Sequence, residues 1–410
     1  MTPIVLIGCL IEVGFLALAR LGDLRTHIPL LLGIYGMLFV LMLGAYYSKN
    51  CSLPLLVFFA IFFRLTLLST TPSLSDDIYR YDWEGRVQRA GMNPYRYAPS
   101  SPELTSLRDT VYDQMNHKDI PAIYPPLAQL AFRIVTYAGG IRAQKYLFFF
   151  FDLLTIGLLA LWLRHRGVPK HRLLLYAWNP LVILEFAGSG HNDSLAIFLL
   201  VGGLYLWDRH QPITSSLVLA GSFLAKYTSV LLVPFFLWKK RWTELVLWLV
   251  IVGVGMSPFW AGGHMMQGAR HYAENWQFNG SLFTLLQTLL GRADQAKHIV
   301  VAVIGGLALY VGKKETDLTH AAYLLMAASL LLAPTLHPWY FCWIVPFLCF
   351  YPNPAFLTWN ATVILSYTVQ TRYLTGLGWT LSPWIPWLEY APVYGFLIYT
   401  LTHPHAKENF

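Results

Sequence analysis

Apolar runs long enough to cross about 30 Å of hydrocarbon, at 1.5 Å of helix rise per residue, recur from one end of this chain to the other. A backbone immersed in lipid must close its hydrogen bonds within each crossing segment, and an α-helix does that by itself. Composition points the same way. Hydrophobic residues make up 56% of the chain, charged residues 12%, and the mean hydropathy is +0.48, outside the balance of soluble domains. The expected fold class is therefore all-α: a polytopic transmembrane helical bundle forming a single integral membrane domain over 1–410.

Candidate spans fall at about 3–19, 28–47, 53–70, 145–163, 173–187, 194–207, 243–260, 296–311, 318–334, 338–350, 356–371 and 384–402. Residues 213–238 are a special case, because the chain is basic at both ends of the stretch and Lys226 interrupts it. One tilted helix is one reading. Two half-helices meeting near Lys226 are the other, since irregular backbone is tolerated at membrane depth where it lines a cavity. The total is about 12 to 14 membrane helices. The N-terminus lacks a basic region and an obvious cleavage site, so the first span is expected to be retained rather than removed as a signal.

The net charge of +8 does not form a nucleic-acid patch. The cations collect in short loops instead: His165, Arg166, Lys170, His171 and Arg172; Lys239, Lys240 and Arg241; Lys313 and Lys314. Such clusters mark cytoplasmic loops. Placing them inside puts 71–142, 188–193, 262–281 and 335–338 on the opposite side. Of these, 71–142 is a large extracytoplasmic segment carrying eight acidic residues, from Asp76 to Asp119. It is expected to be partly helical, with Ser75 as N-cap and Pro94 as terminator. Cys9, Cys51, Cys342 and Cys349 lie in or beside apolar segments without metal spacing, so no disulfide framework is implied.

Chemistry-capable residues gather on that outer side. Asp76 and Asp77 follow the third span directly, at the membrane interface where a lipid headgroup reacts; one carboxylate can bind while the other takes a proton from a sugar hydroxyl. Both would equally favour a helix N-terminus through its dipole. Arg80, Asp82 and Glu84 follow, then the aromatic stretch Asn93-Pro94-Tyr95-Arg96-Tyr97 and Tyr124-Pro125-Pro126. In Gly190-His191-Asn192-Asp193, glycine permits close backbone approach to a ligand and His191 can donate to a phosphate or sugar oxygen, although Asn192 and Asp193 also suit a helix cap. A charge at Lys226 costs roughly 2.5–3.5 kcal/mol on insertion scales, so it requires a partner such as a phosphate or a protein carboxylate. His337-Pro338-Trp339-Tyr340 closes another outer connection, and His271 and Glu274 occupy a fourth.

An acidic pair just past an early span, with the aromatic stretch, Gly190-His191-Asn192-Asp193, Lys226-Tyr227 and His337-Pro338-Trp339-Tyr340, resembles the GT-C superfamily of membrane glycosyltransferases. More narrowly, it resembles the polyprenol-phosphate-mannose-dependent mannosyltransferases, which include the bacterial alpha-mannopyranosyltransferases and the first mannosyltransferase of glycosylphosphatidylinositol synthesis. The resemblance implies an inverting single displacement in which a polyprenyl-phosphate donor gives mannose or another hexose to a lipid or glycan acceptor. It makes Asp76 or Asp77 the base; Lys226, His191 and His337, by their own chemistry and position, are the candidates to bind the donor phosphate and offset its charge on departure. Arg80, Asp82, Glu84, Tyr95, Asn192, Asp193, His271, Glu274 and Tyr340 are the substrate-binding candidates. No cofactor or metal is required, although Asp76 and Asp77 can accept a divalent cation. The expected location is a bacterial cytoplasmic membrane with the site facing the periplasm or exterior.

A transporter or a flippase of a lipid-linked sugar is the alternative; a carrier predicts mid-membrane charges and an internal repeat, and no repeat is evident. A membrane acyltransferase would leave the Asp76–Asp77 segment unexplained. Gly-x-Ser-x-Gly, His-Glu-x-x-His and P-loop motifs are absent, which removes support for hydrolase, zinc protease and P-loop classes. A nucleotide-sugar donor is disfavoured for want of a soluble Rossmann-like domain.

Overall fold

A computed structural model describes residues 3–49 and 51–403; the extremities of the expected 1–410 domain lie outside them. Among the described residues the secondary structure is helical, with two isolated bridges and no strand. Among the described residues five helices are long and apolar enough to cross a membrane: Pro3–Arg20, Leu24–Ser48, Ile141–His165, Trp242–Phe259 and Ala293–Lys314. Shorter apolar helices accompany them at Leu53–Leu68, Pro212–Ala225, Tyr227–Trp238 and Leu318–Leu332. Large apolar side chains stand outward on these helices, among them Val40, Val254 and Val301 at 67, 63 and 70% exposure. A water-facing surface would not carry them in such number.

Two expected spans are not continuous helices. Residues 173–187 break into Lys170–Leu173, Leu174–Ala177, Pro180–Ile183 and a π-helical turn at Leu184–Gly188. Residues 338–350 break into Pro338–Phe341 and Val345–Leu348. Proline opens a piece in each: Pro180 and Pro338 follow extended Asn179 and His337, and Pro346, in the first turn of Val345–Leu348, has no amide to donate back to the preceding turn. Residues 173–197 and 341–350 are buried without interruption, so protein rather than lipid covers them. An apolar run reads the same in either solvent.

The expectation of half-helices near Lys226 has a geometric counterpart. The Pro212–Ala225 helix stops at Lys226, whose backbone is extended (φ −158°, ψ 135°), and a 3₁₀ turn over Tyr227–Leu232 leads into Val233–Trp238. The Ser229 hydroxyl donates to the Leu219 carbonyl at 3.0 Å. Ten residues of continuous helix would hold those groups about 15 Å apart, so the chain turns back on itself here.

In the outer segment the acidic helix runs Asp77–Arg89, and Ser75 Oγ accepts from the Asp77 amide at 3.3 Å. The helix ends ahead of Pro94, through left-handed Gly91 (φ +80°). Arg80 ties it to the following loop, donating to Glu84 at 2.6 Å and to the carbonyls of His117 and Ile120. Gly85 sits against the Phe132 carbonyl, where a Cβ would come within 2.5 Å, so this helix lies flush on Pro126–Thr136.

Candidate active site

The Asp193–Asp208 helix organises the site by its N-terminus. Asp193 is fully buried, and its carboxylate accepts from Lys226 Nζ at 2.9 Å and from the Trp343 indole at 2.7 Å. Lys226 thus reaches Asp193 from the break between its two helices. Its ammonium also lies over the rings of Tyr340 and Tyr124, at 5.4 and 5.6 Å from their centroids. Tyr340 is fixed in turn by a 2.7 Å hydrogen bond with the Tyr272 hydroxyl.

One connection earlier, left-handed Gly190 (φ +74°) turns the chain so that His191 points inward. A side chain at position 190 would meet Ile78 at 2.8 Å. His191 is 1% exposed, and among the described residues both ring nitrogens lack a hydrogen-bond partner. Nδ1 stands 3.8 Å from Asp77 Oδ2 and Nε2 stands 3.4 Å from Glu185 Oε2, which is also unpartnered. The ring stacks on Trp339 (4.2 Å, 17°), and Trp339 stacks on His337 (4.3 Å, 1°). Burial holds the His191 imidazole well below its ordinary titration range, and the Lys226 charge adds to that. Burial likewise lowers His337 to about 3, with His191 and Lys226 contributing, so both rings are neutral.

Asp77 keeps 27% of its side chain exposed, and its carboxyl is pushed up to about 7, chiefly by burial and then by the neighbouring Asp76 charge, with Lys226 opposing. Asp76 is also raised by burial, and its Oδ1 accepts from Asn116 at 2.6 Å, whereas Asp77 is the one that stands near His191. Among the described residues no group of three or more His, Cys, Asp or Glu side chains is arranged to hold a metal ion.

Thus the structure brings Asp77, His191, Asp193, Lys226, His337 and Tyr340 to one place. Asn192 is alongside, buried, with its side-chain oxygen accepting from Tyr81 at 3.2 Å. The remaining sequence candidates stand elsewhere. Arg80 and Glu84 pair with each other, and Gln129 also donates to Glu84. Asp82 pairs with Arg86 at 3.0 Å. Tyr95 is 1% exposed and donates to the Tyr124 carbonyl in a small core against Phe259. His271 and Glu274 are exposed on Gln267–Asn275. Glu185 is the residue that sequence reasoning passed over. It is completely buried and accepts from Tyr367 at 2.7 Å. The available signal was a lone carboxylate inside the apolar run Leu181–Ala187.

A sequence profile described as "Alpha-(1->6)-mannopyranosyltransferase, N-terminal domain" matches residues 13–241, which contain Asp77, Glu185, His191, Asp193 and Lys226. Alpha-(1->6)-mannopyranosyltransferase A of Corynebacterium glutamicum is 26% identical over 179 residues, covering 42% of this chain and 36% of that protein. The protein of the same name from Mycobacterium tuberculosis is 26% identical over 180 residues, covering 42% and 34%. A further alpha-(1->6)-mannopyranosyltransferase from M. tuberculosis is 29% identical over 147 residues, covering 34% and 25%. The matched stretch therefore spans about a third or less of the length of these relatives. No solved structure matches the chain.

Proposed function

This chain belongs to the alpha-(1->6)-mannopyranosyltransferase family, and from that premise we propose that it transfers mannose from a polyprenyl-phosphate donor to a lipid or glycan acceptor. The observation that supports this reading most is Asp77: a partly exposed carboxylate titrating near neutrality, beside a neutral imidazole and within the field of one lysine. A general base works best when its pKa lies near the operating pH.

In the proposed reaction the acceptor hydroxyl attacks the anomeric carbon of the donor sugar as Asp77 takes its proton. The new glycosidic C–O bond forms on one face while the bond to the phosphate oxygen breaks on the other, which inverts the anomeric centre. The electron pair leaves with polyprenyl phosphate. Lys226 has three N–H donors and Asp193 engages it on one side, leaving donors for the departing phosphate; His191 and His337 can each donate from a ring nitrogen. A divalent ion at Asp76 and Asp77 is not needed for this charge balance. The site faces the periplasm or exterior of a bacterial cytoplasmic membrane in this reading, opposite the basic loops.

The test is transfer from radiolabelled polyprenyl-phosphate mannose to extracted native lipids and glycans. Asp77→Asn is expected to lose about 10²–10⁴ in rate with its fold intact, and Asp76→Asn much less. Equal losses would remove Asp77 from its role; no transfer by wild type with any polyprenyl-phosphate sugar, alongside lipid movement across vesicles, would favour a flippase.

A further inference from the structure

A cavity of about 400 Å³, open to the surface, is lined by Gln277, Phe278, Asn279, Thr284, Gln287 and Thr288 together with neighbours that include Pro334. Its side chains are amides and hydroxyls, with Phe278 and Pro334 as the apolar members. A lining without cationic side chains offers a phosphate no charge to pair with, and a lining rich in amides does not suit an acyl chain. Donors and acceptors without net charge match a ligand made of hydroxyl groups.

The local sequence builds this surface. On the Leu282–Leu290 helix, Thr284, Gln287, Thr288 and Gly291 fall at the spacing of one helical face and line the cavity. Leu285 and Leu289 are 56 and 75% exposed, as suits lipid contact, while Phe283 and Leu286 pack on Ala293–Lys314. Thr284 and Thr288 give their hydroxyl protons to Gly280 and Thr284 carbonyls, which leaves their oxygens as acceptors.

Asn279 in the lining is fixed by a buried glutamate. Glu389 is 0% exposed in Trp384–Thr402, a helix whose Ile398 and Leu401 are 62 and 77% exposed. It accepts from both the Asn279 amide (3.0 Å) and the Trp359 indole (2.9 Å), and the Tyr390 hydroxyl holds the Asn279 carbonyl. A buried ionisable group is expensive unless its hydrogen bonds are satisfied; here Glu389 orients one residue of the cavity wall, whose backbone is held at φ +52°. Phe278, on the same wall, stacks on His337 (4.8 Å, 20°), the far end of the Trp339–His191 stack that reaches Asp77. The cavity is thus a few sugar units from the proposed base.

We propose that this cavity binds an uncharged oligosaccharide, the part of the acceptor glycan lying away from the reacting hydroxyl, and so makes the protein favour longer acceptors. This rests on the transferase reading above. The experiment uses the full chain in nanodiscs, with a linear manno-oligosaccharide, a mannose disaccharide, and two variants: Gln287→Ala/Thr288→Val and, on the exposed loop, Gln277→Ala. In either folded variant KM for the long acceptor is expected to rise about tenfold with kcat and the disaccharide KM unchanged. Saturation-transfer NMR without donor should show the oligosaccharide bound to wild type and weakened in the variants. Unchanged KM for the long acceptor in both variants, or equal rises for both acceptors, overturns the proposal while leaving transfer established. Variant-sensitive oligosaccharide binding by a wild type that transfers no sugar would sink the transferase reading and keep the cavity.

Discussion

Asp77 sets the pH behaviour expected of single residues in this site. Its carboxyl titrates at about 7 in the folded chain against an ordinary 3.8. A base must be deprotonated, so kcat/KM should fall about tenfold per pH unit below that value and level off above it. Stability follows the opposite course. A raised carboxyl contributes stability that is fully present below about pH 4 and lost as the pH rises through about 7. Asp77→Asn should therefore be more heat-stable than wild type at pH 8 and indistinguishable from it near pH 4, a comparison that thermal melts at the two pH values settle. At the neighbouring ion pair, Lys226→Met leaves the fully buried Asp193 without its cation, which should cost about 3–5 kcal/mol. Adding Asp193→Asn should restore part of that loss, so the double-mutant cycle is expected to show strong coupling between the two. Charged residues at odds with an apolar context, such as Lys226, were legible in the sequence because lipid makes them costly. Glu185 carries the same signal within Leu181–Ala187, but the sequence does not say what it faces: only the fold shows that protein surrounds it and sets it beside His191.

At the scale of elements, what could be read was periodicity and length, and what could not was which solvent an apolar run meets. The long helices 141–165 and 293–314 stand close to their expected bounds, whereas 173–187 and 338–350 are short pieces folded inside the protein. Pro180, Pro338 and Pro346 carried the information, and length alone outweighed them. The doubling back at Lys226 was foreshadowed by basic residues at both ends of 213–238, a constraint of charge rather than of hydropathy. Gly312 shows how the second half-helix is seated. A Cβ there would come within 2.8 Å of the Phe235 amide and the Pro234 carbonyl, so Ala293–Lys314 touches the backbone of Val233–Trp238 directly. Backbone cannot swing aside as a side chain can. Gly312→Val is expected to destabilise the fold by about 1–3 kcal/mol, seen as a lower melting temperature; an unchanged melt would mean the two helices part easily.

Across the whole molecule, the end remote from the site is tied by one guanidinium. Arg166 donates to Asp208, to Asp317 at 3.0 Å, to the Thr319 hydroxyl at 2.7 Å and to Tyr351 at 3.1 Å. That knot joins the ends of Ile141–His165, Asp193–Asp208 and Leu318–Leu332. Arg166→Gln should lower stability by about 1–3 kcal/mol through unpaired carboxylates, while the activity of the molecules still folded, measured per active site, stays near wild type. Loss of activity without loss of stability would show that the knot acts on the chemistry instead. The arrangement also gives the Asp193–Asp208 helix a fixed gauge length. Each of its ends is an aspartate gripped by a cation, Lys226 at one and Arg166 at the other, about 22 Å apart along the axis. A strut fastened at both ends has no slack in rotation. Inserting or deleting one residue along it would swing Asp193 by about 100° relative to Asp208, so the two grips could not both close.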